Sequence, residues 1–473
     1  MATYDRLSAQ DRSFLDLEGP NTHMHVAGAF LFERGALATP AGGIDIDTIR
    51  DYVASRLHRI PRYRQRIAWI PIENHPVWVD DDRFNVHYHV RHTALPAPGD
   101  DRQLKRFCGR VLSQQLDRGK PLWEIWVVEG LEHDRFALVT KTHHCMVDGI
   151  SGADLLAVLL SPTPEKEYDP APRWIPNPRP GAGELLRDAL LRRVAIPVSL
   201  AGAAARALSD PAATLASARE TLGGFGQSIA GALSPAADTP LNRPIGPHRR
   251  FDWVGFDIEE VKRVKNRLGG TVNDVVLATV AGAVSRYLEQ RGIPRARQRE
   301  LDFRAFCPVS VRGAHERGTL GNRVSSIIAA LPIAEADSRA RLARVREITR
   351  NLKQSKQALG AEVLTSVSEW TAPMLAAVAA RLAFRNRLSN LVVTNVPGPQ
   401  IPLYLLGARM LESYPMVPLF ESQGLGVALF SYAGGLYWGF NADWDQFPDL
   451  HDFVVAVDAA FRELCDAAEA ADE

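Results

Sequence analysis

Apolar positions along this chain recur at two periods, and the periods divide it into short elements. HVAGAFLFE (25–33) and FALVTKTHH (136–144) read as strands, whereas 47–57 places Ile49, Val53 and Leu57 at helical spacing and 151–160 (SGADLLAVLL) reads as a helix. Beyond residue 240 a strand is predicted at 248–257, then a helix to about Leu268 and a second from Thr271, with Val272, Val275, Val276 and Val280 as its apolar stripe. Further strands are predicted at 302–309, 324–331, 391–394, 426–432 and 436–441, and a helix over 450–467. Strands mixed with helices in both halves predict an α/β (α+β) architecture. Between the halves lie seven prolines from Pro162 to Pro180, then an Ala/Leu-rich, arginine-bearing stretch to about Leu233, broken at Pro197 and Pro211. The first part is a stiff linker and the second two or three amphipathic helices. Three regions follow: 1–165, a linker at 166–238, and 239–473.

Composition narrows the class. The 473 residues are 46% hydrophobic and 23% charged, with 55 basic and 55 acidic side chains. That excludes a disordered chain, and zero net charge argues against a nucleic-acid partner. Cys108, Cys145, Cys307 and Cys465 have no CxxC spacing, which excludes a disulfide framework and a Cys-rich zinc site and fits a cytoplasmic protein. The N-terminus has no apolar core of a signal peptide, and the uncharged run 422–442 is so rich in glycine that it reads as two strands about a turn, not a membrane span.

The chemistry concentrates in KTHHCMVDG (141–149). Alternation along the strand puts Thr142 and His144 on one face and Lys141 and His143 on the other, so the two rings are poor joint ligands for a metal. A neutral imidazole at a strand end, with an ordinary pKa near 6.5, suits a lone general base that takes a proton from a hydroxyl or amine attacking an activated acyl group. No GxSxG elbow offers a serine nucleophile. Asp148 reads as a structural ion-pair partner, with Arg312 suggested opposite it. Gly149 supplies either a positive φ or a backbone N–H for an oxyanion. Ser151 can cap the following helix, with Asp154 as capping-box partner.

HHxxxDG is the signature of the acyltransferase superfamily that includes chloramphenicol acetyltransferase and nonribosomal-peptide condensation domains. The chain more specifically resembles the bacterial wax ester synthase/acyl-CoA:diacylglycerol acyltransferase family, through LSAQDRSFLDLE (7–18), PVWVDDDRFNVHYHVRH (76–92), PLWEIWVVEGL (121–131), NRPIGPHRR (242–250), TVNDVVLA (271–278), PVSVRG (308–313), GNRVSS (321–326) and NVPGP (395–399). The resemblance implies two chloramphenicol-acetyltransferase-like domains joined by a helical linker, with the active site at their interface. It implies His144 as general base, His143 and Asp148 as mainly structural, and Asn273 and Asp274 as the family's Asn-Asp motif. It implies transfer of an acyl group from acyl-CoA, a co-substrate in place of any cofactor, to a long-chain alcohol or diacylglycerol. Two other readings stay open: a condensation-type enzyme using carrier-protein-bound acyl groups, and a catalytically silent lipid-surface protein.

Asp274 is explained by a capping box with Thr271, which leaves Asn273 to orient substrate or polarise the thioester carbonyl. Trp123 reads as an anchor between layers more than as a substrate contact, and Asn395, Pro397 and Gly398 as a rigid turn or as part of a tunnel wall. His87 and His89 would share a strand face near His92, but no partner ligand makes a metal site of them. Arg56, Arg59, Arg62, Arg64 and Arg66 would meet CoA phosphates, lipid headgroups or only solvent. Residues 185–208 would lie in a membrane or lipid-droplet surface, or pack against the two domains.

Overall fold

The computed structural model describes residues 4–146, 154–166, 172–191, 235–310, 324–354 and 387–471. In chain order the strands are Asp5–Arg6 (β1), His25–Glu33 (β2), Gln65–Trp69 (β3), Pro76–Asp80 (β4), Val90–Ala94 (β5), Trp123–Leu131 (β6), Arg135–His143 (β7), Arg249–Asp257 (β8), Arg304–Ser310 (β9), Val324–Ala330 (β10), Leu391–Pro397 (β11), Tyr404–Leu405 (β12), Ala408–Met416 (β13), Leu425–Tyr432 (β14) and Gly435–Asp443 (β15). The helices used below are Ala9–Leu17 (α1), Asp101–Ser113 (α2), Ile258–Leu268 (α3), Val272–Gln290 (α4), Ser338–Gln354 (α5) and Leu450–Glu469 (α6).

Two mixed six-stranded sheets dominate, ordered β12-β13-β2-β7-β6-β5 and β10-β9-β11-β14-β15-β8, with a small sheet β1-β4-β3 beside the first. β7 is an interior strand buried along nearly its whole length, apolar over Phe136–Val139 and then carrying buried polar side chains from Thr140 to His143. Residues 422–442 fold mainly into the β14–β15 hairpin, as their glycines predicted. Among the described residues no single helix is long and apolar enough to cross a membrane.

Three expectations are corrected. β13, missed in the sequence, belongs to the first sheet: it pairs antiparallel with β2, Pro415 opposite Gly28, so a boundary at residue 239 does not divide the sheets. Pro415 inside the strand and an irregularity between Met410 and Glu412 break the alternation that would have revealed it. Val86–His89 is one helical turn, not a strand, so His87 and His89 share no strand face. His144 has left the strand: β7 stops at His143 and a 3₁₀ turn, His144–Met146, begins, with the His144 N–H donating to the Met24 carbonyl at 2.7 Å.

The halves share a core, in which Ala27, Leu31 and Val139 pack with Phe251, Trp253, Tyr414 and Met416. α2 lies so close on β8 that a Cβ on Gly109 would stand 2.7 Å from the Arg249 carbonyl oxygen, and the Ser113 hydroxyl accepts the Arg249 N–H at 2.8 Å. The described start of the linker region is docked: Leu185 and Ala189 pack on the small sheet, while Leu190 and Leu191 face solvent. Residues 192–234, with most of the predicted amphipathic stretch, lie outside the described residues.

Candidate active site

The adjacent histidines sit in opposite surroundings. His143 is buried, its Nδ1 accepting the Cys145 N–H at 3.1 Å and its Nε2 facing Glu18 Oε2 at 3.5 Å. Since Nδ1 accepts, Nε2 carries the proton and points it at the carboxylate. His25, opposite His143 in the β2–β7 register, brings Nε2 to 3.4 Å from Glu18 Oε1. Arg118 closes the group, its Nε and Nη2 donating to Glu18 Oε2 at 3.0 and 2.7 Å. Burial works to raise the Glu18 carboxyl, but its hydrogen bonds and charge interactions with His143 and His25 prevail and hold it well below the usual carboxylate range. His25 is pushed down to about 3, chiefly by burial, with Glu18 opposing.

His144 is half-buried and stacks on Phe14, ring centroids 3.8 Å apart at 22°. Its Nδ1 is closed from solvent and has no hydrogen-bond partner among the described residues. Desolvation lowers its pKa to about 4, so the ring is a neutral base at physiological pH. Cys145, next along, is buried, and burial raises its thiol well above the ordinary 9.0, which removes it as a nucleophile. Asp148, Gly149 and Arg312 lie outside the described residues, as does Ser151.

A second group forms where α4 meets β11. The Asn395 Nδ2 donates to Asn273 Oδ1 at 2.8 Å, which fixes the Asn273 amide and leaves its NH₂ as the end able to donate further. Asp274 makes the expected capping box, accepting the Thr271 N–H and hydroxyl at 2.8 Å each, and also accepts the Thr349 hydroxyl of α5 at 2.7 Å. Asn273 and Asn395 line a narrow slot with Val276, Cys307, Ile327 and Val393; His144 is not among its lining residues. Gly398 follows β11 at a close approach, since a Cβ there would stand 2.4 Å from the Ser431 carbonyl oxygen. Pro397, its neighbour, is exposed at the end of β11.

Trp123 is not at a reachable surface. It is 1% exposed, its indole N–H donates to the Tyr63 carbonyl at 2.8 Å, and it stacks on His89, so it anchors the core and is withdrawn as a substrate contact. The arginine-rich stretch is not an open basic patch either. Arg56 and Arg64 are buried, Arg62 lies over Trp78, and Arg66 faces Asp81 at 3.7 Å. Glu18, which organises the histidines, was visible only as the last residue of a matching segment. Nothing local marks it, because two of its partners, Arg118 and His143, lie 100 residues and more along the chain and the third, His25, is brought to it only by the pairing of β2 with β7.

Comparison with known proteins agrees across nearly the whole length. Residues 7–276 match the wax ester synthase/diacylglycerol acyltransferase catalytic domain, and residues 320–465 the WS/DGAT C-terminal domain. A probable diacylglycerol O-acyltransferase of Mycobacterium tuberculosis is 33% identical over 464 residues, covering 97% of this chain and 96% of its own. A putative diacylglycerol O-acyltransferase of the same species is 33% identical over 478 residues, covering 99% and 91%. The solved wax ester synthase/diacylglycerol acyltransferase of Marinobacter aquaeolei superposes with a TM-score of 0.69 at 26% identity, covering 98% of this chain and 100% of that one. A condensation domain of a calcium-dependent antibiotic synthetase shares the fold, with a TM-score of 0.59 at 16% identity and coverage of 99% and 96%.

Proposed function

The chain belongs to the wax ester synthase/diacylglycerol acyltransferase family and is an O-acyltransferase; from that premise we propose that His144 is the general base that activates the acceptor hydroxyl for direct attack on acyl-CoA. The observation that carries this reading is the asymmetry of the pair. His143 is sealed and its proton is aimed at Glu18, whereas His144 is half-buried, neutral and free of a carboxylate partner among the described residues.

With Nδ1 closed off, Nε2 is the nitrogen that takes the hydroxyl proton as the oxygen attacks the thioester carbonyl. The tetrahedral intermediate collapses by breaking the carbon–sulfur bond, and the imidazolium returns its proton to the CoA thiolate. Ester and free CoA leave, with no covalent acyl-enzyme. The depressed pKa keeps the base unprotonated and makes the imidazolium short-lived, so the proton is held only while the intermediate exists. Asn273, its oxygen occupied by Asn395, presents an N–H to the developing oxyanion, a contact worth about 3–4 kcal/mol in the transition state. The acceptor is the hydroxyl of a long-chain alcohol or of diacylglycerol.

The test is His144→Ala with palmitoyl-CoA and hexadecanol. Loss of a general base lowers kcat by roughly 10²- to 10⁴-fold. A variant that keeps most of the wild-type turnover removes the assignment. Offering hexadecanol and diacylglycerol in competition then ranks the acceptors.

A further inference from the structure

A cleft of about 560 Å³ opens beside the slot. The start of α4 forms one side, with Gly270, Thr271 and Asp274, and α5 forms the other, with Arg346, Arg350 and Lys353. These cations recur at i, i+4 and i+7, so a single helix face presents all three. Among the described residues none of them has a carboxylate at ion-pair distance. The two acids in the cleft are engaged elsewhere: Asp274 is buried under Thr271 and Thr349, and Glu347 pairs with Arg344 at 2.6 Å. Arg346 is held in place, its Nη1 donating to the Leu268 carbonyl at 2.8 Å where α3 ends. Gly269 and Gly270, at φ +79° and +109°, make room for it, since a Cβ on Gly269 would stand 2.7 Å from Nη1.

Among the described lining residues three cations stand against two carboxylates that are engaged elsewhere, so the cleft keeps a positive excess at the start of a 19-residue helix, a field that phosphate oxygens neutralise. Position adds a second constraint. Asp274, Thr349 and Lys353 line both the cleft and the slot that holds the Asn273–Asn395 pair. A ligand anchored by phosphates in the cleft therefore reaches those amides across a shared wall. An acyl-CoA has that form, with an anionic nucleotide at one end and a thioester at the other. We propose that the Arg346–Arg350–Lys353 face binds the phosphates of the nucleotide end of CoA, an inference that rests on the acyl-CoA reading above. The arginine stretch 56–66, largely buried or engaged, does not do so.

The experiment uses the double variant Arg350→Glu/Lys353→Glu in the full chain, both positions being exposed. Free CoA is titrated calorimetrically, and kcat/KM is measured for palmitoyl-CoA and for palmitoyl-pantetheine, which lacks the nucleotide. The expected result is a loss of CoA affinity of about tenfold or more, with a similar fall in the ratio of kcat/KM for the two donors. Arg339→Glu, exposed on the same helix and outside the lining, is the charge control and keeps CoA affinity. CoA affinity within about twofold of wild type, or an equal loss for both donors, overturns the proposal. So does loss of binding to phosphatidylglycerol vesicles with CoA affinity intact, which assigns the face to lipid headgroups. Absent turnover of palmitoyl-CoA by the wild type sinks the acyl-transfer reading, and the CoA titration still decides the cleft.

Discussion

Glu18, just past α1, and Asp274, in the first turn of α4, are two buried carboxylates standing behind the polar residues on which the proposed chemistry depends. Glu18 is surrounded by a guanidinium and two imidazoles, of which Arg118 and His143 come from distant parts of the chain. Asp274 is surrounded by neutral donors only, a backbone N–H and two hydroxyls, and two of those three come from Thr271. One carboxylate is needed for its charge and the other for its lone pairs. That difference predicts how each half responds to substitution and to acid.

The largest effect is expected at Glu18. Glu18→Ala leaves the buried His143 Nε2–H without an acceptor and Arg118 without its anion, while His25 keeps the Leu116 N–H at its Nε2. Breaking a buried ion pair from one side costs about 3–5 kcal/mol, and Arg118, 38% exposed, recovers part of that from water, so about 3 kcal/mol is expected in urea unfolding. Turnover falls as well, because His143 and the turn that starts at His144 lose their brace. A loss below about 1 kcal/mol would show that the charge is dispensable and erase the contrast with Asp274.

The same contrast explains what the sequence disclosed. The capping box at Thr271 and Asp274 is a four-residue signal, and it was read correctly because both partners sit in one helical turn. β2, β7, β8, β14 and β15 are legible for the same reason, each carrying enough apolar residues within one short window to show a strand. Glu18 was not legible as a site residue, since an acid after SFLDL looks like any helix-terminal charge until the β2–β7 pairing brings His25 and His143 to it. The membership of β13 in the first sheet was hidden likewise, because its partner β2 lies nearly 400 residues away along the chain and Pro415 disguises the strand. Alternation predicts only that the two rings point apart, and the choice of His144 between them comes from the resemblance; what separates the rings is that His144 begins a 3₁₀ turn, through which alternation does not continue.

Acid sharpens the comparison next. His25 and His89 are buried, with pKa values pushed down from 6.5 to about 3 and about 4, mainly by burial. Below pH 6.5 the unfolded chain binds protons that the folded chain refuses, so stability is whole above 6.5 and declines as pH falls toward those lower values. Each ring contributes up to about 1.4 kcal/mol per pH unit, or about 2 kcal/mol between pH 6.5 and 5. Glu18 acts in the same direction lower down, its depressed carboxyl adding stability above the ordinary 4.5 that is lost as pH drops further. Tm should therefore fall between pH 7 and 5, with amide exchange rising first in β7 and β2. His144 stays neutral down to about 4, so kcat/KM of the folded enzyme should show no acid limb near 6.5. A limb at 6.5, or a Tm flat to pH 5, contradicts the desolvated histidines.

The smallest effect is expected at Asp274, and it discriminates most finely. Asp274→Ala removes one half of a capping box and the bond to Thr349, about 1 kcal/mol for each interaction, while α4 itself persists because its other residues are so widely buried. Asp274→Asn should recover most of the loss, since the side-chain oxygen still accepts from Thr271 and the Thr349 hydroxyl can turn to accept in place of donating. Glu18→Gln should recover little, because no neutral amide replaces the anion that Arg118 and the His143 N–H share. The measurement is the gap between each Ala variant and its amide variant in urea unfolding. Similar gaps would mean that the Asp274 charge is in use after all, and the cations in its neighbourhood are Arg346, Arg350 and Lys353. Those side chains would then be held by Asp274, and less of their charge would be left over for a phosphate.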